Sequence, residues 1–187
     1  MSLHVHFSDR TPPGNGRRGF IRLGNDGVMN LPARIAYHEA GHAVAAVLRD
    51  GSAVRPFSIT SADDYPDSTC HLSPGRDPGF VAWAGPWAQA YAEWCERRLE
   101  RGGDEFVFAD YLLTVYLNGS HTDWVIVEQH FASLPWASMR AGTERVWGTE
   151  LARMWPAIQQ VAEWLLVGEP VTNQRVRDLT DAEMALT

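Results

Sequence analysis

The sequence predicts a mainly helical protein with one small β element, and three observations carry that expectation. Long apolar-rich segments recur between chain breakers, and each is longer than an ordinary strand. Helix start and stop residues bracket them, as with Asn30 ahead of Pro32 and Gly51 after the apolar run. Only residues 53–60, AVRPFSIT, combine β-branched residues with alternation.

The elements follow in order. Residues 1–29, with Pro12, Pro13, Gly14, Gly16, Gly19, Gly24 and Gly27, read as an N-terminal arm or linker, and residues 30–187 as one helical domain. The first helix opens at Asn30, tolerates Pro32 in its first turn and stops with Gly51 as the C′ residue. The strand over 53–60 contains Pro56, which cannot donate to a ladder and so sits at an edge or bulge. Residues 62–76 read as loop. A second helix begins at Asp77–Pro78 and runs to about Arg101, a third covers 104–117, and a fourth starts near Thr122 and breaks before Pro135. The longest, 143–167, contains Pro156, which kinks or splits it. Thr172 and Thr180 are N-caps of one or two final helices, with Glu183 in capping-box position.

Composition narrows the function classes. Apolar residues make up 45% and charged residues 21% of 187, which suits one globular core. A net charge of −7 argues against nucleic acid and anionic membranes as partners. No apolar run approaches the roughly 20 residues that cross a bilayer. Cys70 and Cys95 form neither a CxxC pair nor a disulfide framework, so a reducing cytoplasm is the expected compartment. The eight tryptophans read as core and interhelical contacts.

His38-Glu39-Ala40-Gly41-His42 matches HExxH. Residues i and i+4 share a helix face, so both imidazoles reach one metal ion, while Glu39 lies about 100° around the helix, within reach of a metal-bound water. Zinc, one ion per chain, would acidify that water, and Glu39 would take its proton and later return it to a leaving amine. A surface helix carrying two His and a Glu by accident is the competing explanation. The otherwise apolar helix speaks against it, because unsatisfied imidazoles and a carboxylate are costly to bury.

A catalytic zinc needs a third protein ligand and an open position. Leu48 stands where a metzincin has its third His. Glu93, Glu96 or Glu100 on the second helix could serve, as could His121; Asp123 in GSHTDW is preferred, because it starts a helix whose free N–H groups hold a carboxylate. Plain helix capping by Thr122 with a first-turn acid explains Asp123 equally well on spacing alone. His71 and His130 read as surface residues.

The string IAYHEAGHAVAAVL resembles the active-site helix of the FtsH-type ATP-dependent zinc metalloproteases, whose fold would be a zincin-like helical bundle. VRPFSIT, VAWAGPWAQAYAE, GSHTDWVIVEQ and the segment from Trp155 to Leu179 resemble further parts of that family in the same order, from about Leu31 to the C-terminus. The resemblance implies a zinc metallopeptidase with Asp123 as third ligand and Phe57, Ser58, Ile59 and Thr60 as an edge that pairs with an extended substrate. It also implies a polypeptide substrate and assembly with a separate ATPase subunit or as a homo-oligomer. The departures are specific. The family's Gly-Gly-Arg-x-Ala-Glu-Glu is here Ala84 to Ala90, so both acids are lost and Gln89 stands in as a neutral hydrogen-bond partner for a zinc-binding His. No GxxxxGK[ST] segment is present. These losses motivate the alternative of a catalytically weak or inactive module that keeps the fold and binds peptides or a protein partner.

Overall fold

A computed structural model describes residues 29–53, 72–73, 75–101, 108–134 and 139–186. Among these the chain is mainly helical: α1 (Leu31–Leu48), α2 (Pro78–Arg101), α3 (Phe108–Leu117), α4 (His121–Ala132), α5 (Arg140–Arg153), α6 (Trp155–Leu166) and α7 (Asn173–Met184). A two-residue antiparallel ladder joins β1 (Ser52–Ala53) to β2 (Leu72–Ser73), with Ser52 opposite Ser73. The N-terminal arm to residue 28, most of the expected strand over 53–60, and the proposed edge Phe57–Thr60 lie outside the described residues. β2 falls within the stretch read as loop.

Local chemistry explains the helix ends. The Asn30 side chain accepts the Ala33 N–H at 2.9 Å, and Pro32 occupies the first turn. The C-terminus of α1 differs by one residue from expectation. Asp50, not Gly51, takes the left-handed conformation (φ 55°), while the Gly51 N–H reaches back to Ala46 and the Asp50 N–H to Val47. That pairing is a Schellman closure, and a short polar Asp tolerates its geometry. Asp77 caps α2 through the Phe80 N–H at 3.0 Å. Pro156 splits the long C-terminal segment at Met154, because it starts a new helix more cheaply than it continues one. α4 starts at His121, next to the expected Thr122, with Ser120 at the N-cap. α7 is one helix capped by Thr172; Thr180 is no cap but a buried residue inside it, its hydroxyl donating to the Arg177 carbonyl.

α1 is the central element, packed chiefly against α2 and α6 and also against α7. Its buried face is mostly alanine and valine, so neighbouring helices come close. At Gly41 an added Cβ would collide with the Ala84 carbonyl and the Ala88 methyl, which makes glycine the residue that sets the α1–α2 approach. Larger side chains fill the surrounding space: Trp83, Trp87, Trp147 and Trp155 are buried and in contact through a chain of tilted and edge-on rings. His130, expected on a helix surface, is half-buried and packs on Trp147 with ring centroids 5.3 Å apart, under Gly79.

Candidate metal centre

The helical spacing of His38 and His42 puts their rings edge to face, with centroids 4.7 Å apart and the two Nε2 atoms 3.1 Å apart. Asp123, in the first turn of α4, brings its carboxylate to both: Oδ2 lies 3.1 Å from His38 Nε2 and Oδ1 3.5 Å from His42 Nε2. One donor atom from each of the three residues therefore falls within 4.8 Å of the others, a group able to hold a metal ion.

The surroundings orient these donors. His42 Nδ1 donates to the Val81 carbonyl at 2.7 Å, which leaves Nε2 as the unprotonated nitrogen of a neutral ring. That bond depends on close approach of α2, which Gly41 permits. Gly85 lies over the same ring, where a Cβ would overlap the imidazole. Asp123 sits where the helix N-terminus favours negative charge.

Electrostatics describes the same three residues. Burial alone would lower the His42 pKa; the Asp123 carboxylate, by charge and hydrogen bond, outweighs it and raises it to about 9. Burial favours neutral Asp123, but the charge of His42 and hydrogen bonds from both imidazoles hold its carboxyl well below the usual range. Two ring nitrogens and a carboxylate this close need a shared cation between them, either a proton or a metal ion. The two imidazoles and the carboxylate are a donor set that could hold a metal ion on that ground.

A cleft of about 200 Å³ opens beside the group, and both His38 and Glu39 line it, together with Leu31, Arg34, Ile35, Gln89 and Val115. The far wall is the Asn118–Ser120 turn that leads into α4. One Glu39 carboxylate oxygen is out of contact with solvent, so its environment is less polar than water.

The alternatives for a third ligand separate clearly. Glu93 is bound elsewhere: Arg34 grips it at 2.7 and 3.2 Å and Gln89 donates to it at 3.1 Å. The Gln89 amide thus serves Glu93 and not a histidine of the centre, which corrects the role expected for it; the Val81 carbonyl orients His42 instead. His121 is exposed on the first turn of α4 and outside the three-residue group. The side chains of Glu96 and Glu100, and residue His71, lie outside the described set. The sequence contained no sign of Val81, a main-chain contribution. It did contain a sign of Gly85: a glycine inside an apolar helix costs roughly 1 kcal/mol against alanine and asks for a packing reason.

No helix among the described residues is long and apolar enough to cross a membrane. Comparison of the chain with protein-family models, with curated proteins and with solved structures returned no match.

Proposed function

We propose that this chain is a zinc metallopeptidase that hydrolyses peptide bonds in short or unfolded polypeptides. The observation that carries the reading is the convergence of His38, His42 and Asp123 at the edge of a cleft that Glu39 also lines. The FtsH-type resemblance also supports it, since it implies Asp123 as the third ligand, and that carboxylate lies against both histidines.

His38, His42 and Asp123 would hold the ion, and zinc, when bound, would supply a water whose pKa is lowered toward ~7 and polarisation of a carbonyl. The protein's own groups do the remaining work. His42 presents Nε2 because Nδ1–H is committed to Val81. Asp123 contributes negative charge that offsets part of the cation's. Glu39, partly withdrawn from water on the cleft wall, accepts a proton from the attacking water and returns it to the departing amine. The cleft positions the substrate carbonyl beside that carboxylate.

The test compares zinc content and peptide cleavage in wild type and Glu39→Gln. The expected result is one zinc per chain in both and a 10²- to 10⁴-fold loss of cleavage in the variant, roughly the contribution of a general base. Absence of bound zinc, or unchanged cleavage by Glu39→Gln, would overturn the reading. Zinc retained with peptide binding but no turnover in wild type would identify the non-catalytic module instead.

A further inference from the structure

Resting on the peptidase reading, we infer that the cleft beside His38 and Glu39 receives the C-terminal carboxylate of a peptide, so that the chain removes one or two residues from that end. A serine N-cap that does not cap, an ion pair with its cation toward the cleft, and the spacing along α1 lead there.

Ser120 opens α4, yet its side chain makes no capping bond. It is only 8% exposed and lines the cleft. Serine at this position ordinarily accepts an N–H of the first turn, and a hydroxyl so far withdrawn from water is costly without a partner. The first bond of the helix runs from the Trp124 N–H to the Ser120 carbonyl at 3.0 Å, so the N–H groups ahead of it have no acceptor within α4. A hydroxyl donor beside a helix N-terminus favours an anion. Asp123 of the same turn is committed to the imidazoles and is not part of the cleft wall.

On the α1 side of the cleft stands Arg34. Its partner Glu93 is the inner member of the pair, with side chains 30% and 10% exposed, and Glu93 does not line the cleft. The cleft therefore meets the guanidinium and not the carboxylate that holds it. Among the described residues Glu39 is the one acid in the lining. It lies five residues beyond Arg34, about 7.5 Å along the axis, which leaves the Arg34 end for an anion.

Spacing sets the length of the piece removed. Arg34 precedes His38 by one turn, about 6 Å along the axis, and an extended peptide spans about 3.3–3.6 Å per residue. A carboxylate held by Arg34 and Ser120 thus lies one or two residues beyond a peptide bond at His38 and Glu39. The cleft volume of about 200 Å³, below the ~300 Å³ at which sites for whole small molecules begin, suits so short a piece. Hydrolysis there adds one water across the amide. The carbonyl carbon gains the oxygen and becomes the new carboxylate terminus, the C–N bond breaks, and the leaving nitrogen takes both protons, one by way of Glu39.

The test begins with binding to the metal-free chain, where no carboxylate can bind through a metal. Three N-acetylated alanine pentapeptides are titrated: one with a free C-terminal carboxylate, one ending in an amide, and one ending in an amide with an Asp side chain at its last position. The free acid should bind at least tenfold tighter than either amide, as charge-assisted hydrogen bonds give. Ser120→Ala, which loses no capping bond, and the pair Arg34→Gln/Glu93→Gln, which orphans no charge, should each reduce that preference at least threefold. Equal binding of acid and amide, the result for a cleft that merely holds water, overturns the inference. Preference for the Asp side chain, absence of binding, or a preference that both variants retain also overturns it. With zinc added, wild type should release one or two residues from the free acid and leave the amides intact. Cleavage of acid and amide alike overturns the inference but keeps the peptidase reading. Selective binding with no cleavage removes the peptidase reading and leaves the carboxylate site standing.

Discussion

Gly85→Ala should disable metal binding by way of a single methyl group. In α2 an added Cβ would lie 2.5 Å from Cε1 and 2.8 Å from Cδ2 of His42, and closer still to Nε2. Ordinary contacts between such atoms are about 3.5–4.0 Å, so the imidazole must withdraw by about 1 Å. The ring has no room to do so at constant function. Nδ1 is bonded to Val81 at 2.7 Å, and Nε2 sits 3.1 Å from its partner on His38. Overpacking of this kind costs about 1–3 kcal/mol of stability. Displacing the support of a metal-binding imidazole typically costs 10- to 100-fold in affinity. Competition for zinc with a chromophoric chelator, alongside thermal unfolding of the metal-free protein, measures both. Gly142→Ala is the control, because a Cβ there meets nothing within 4 Å on an exposed turn of α5; it should leave zinc affinity unchanged and stabilise by about 0.5–1 kcal/mol. Zinc affinity in Gly85→Ala within twofold of wild type would refute the steric argument.

Three further outcomes follow from the same geometry. Asp123→Ala should lower zinc affinity by at least 100-fold while leaving the helical circular dichroism intact, since it removes a donor in the first turn of α4; retention of tight zinc would eliminate Asp123 as a ligand. The metal-free protein should be most stable in mildly acidic solution. His42 has a folded pKa of about 9 against 6.5 unfolded, so its contribution is complete below about pH 6.5 and is lost as pH rises through 9. Asp123 is depressed, so its share is present above about pH 4 and lost in stronger acid. Denaturant titrations of the metal-free chain at pH 5.5 and 9.5 should therefore differ by about 2–3 kcal/mol on account of this pair, and an absence of that difference in wild type relative to Asp123→Ala would contradict the assignment. Arg49→Ala should destabilise by about 1–2 kcal/mol after allowance for partial exposure, because Arg49 grips Glu150 at 2.6 and 2.7 Å and lies 3.9 Å over Phe80, joining the ends of α1 and α2 to α5. Thermal unfolding checks it, with zinc affinity expected to be unaffected.

The helices were legible because their signals are local. Asn30 with Pro32, Asp77 with Pro78, Thr172, and Pro156 between two apolar stretches each act through the nearest turn of backbone. The misreadings were also local and small. Asp50 took the left-handed position that Gly51 was expected to fill, and Thr180 turned inward because the 3.6-residue period of α7 aims it at the core. Nothing in the turn around His130 announces the Trp147 and Gly79 that cover it, so its half-burial is decided by packing between helices.

By itself the sequence determined that His38 and His42 share one helix face, because i and i+4 on an α-helix have no other geometry, with Glu39 about 100° around from them. Only the tertiary structure decided that Asp123, from a separate helix, meets both imidazoles while Glu93 is consumed by Arg34. Only it decided that a main-chain carbonyl, Val81, fixes the His42 tautomer and that the Gln89 amide donates to Glu93. The reason is physical: spacing along a helix is set by backbone covalent geometry, whereas the third ligand and its supports depend on how closely α1, α2 and α4 approach, which is a property of packing across the core.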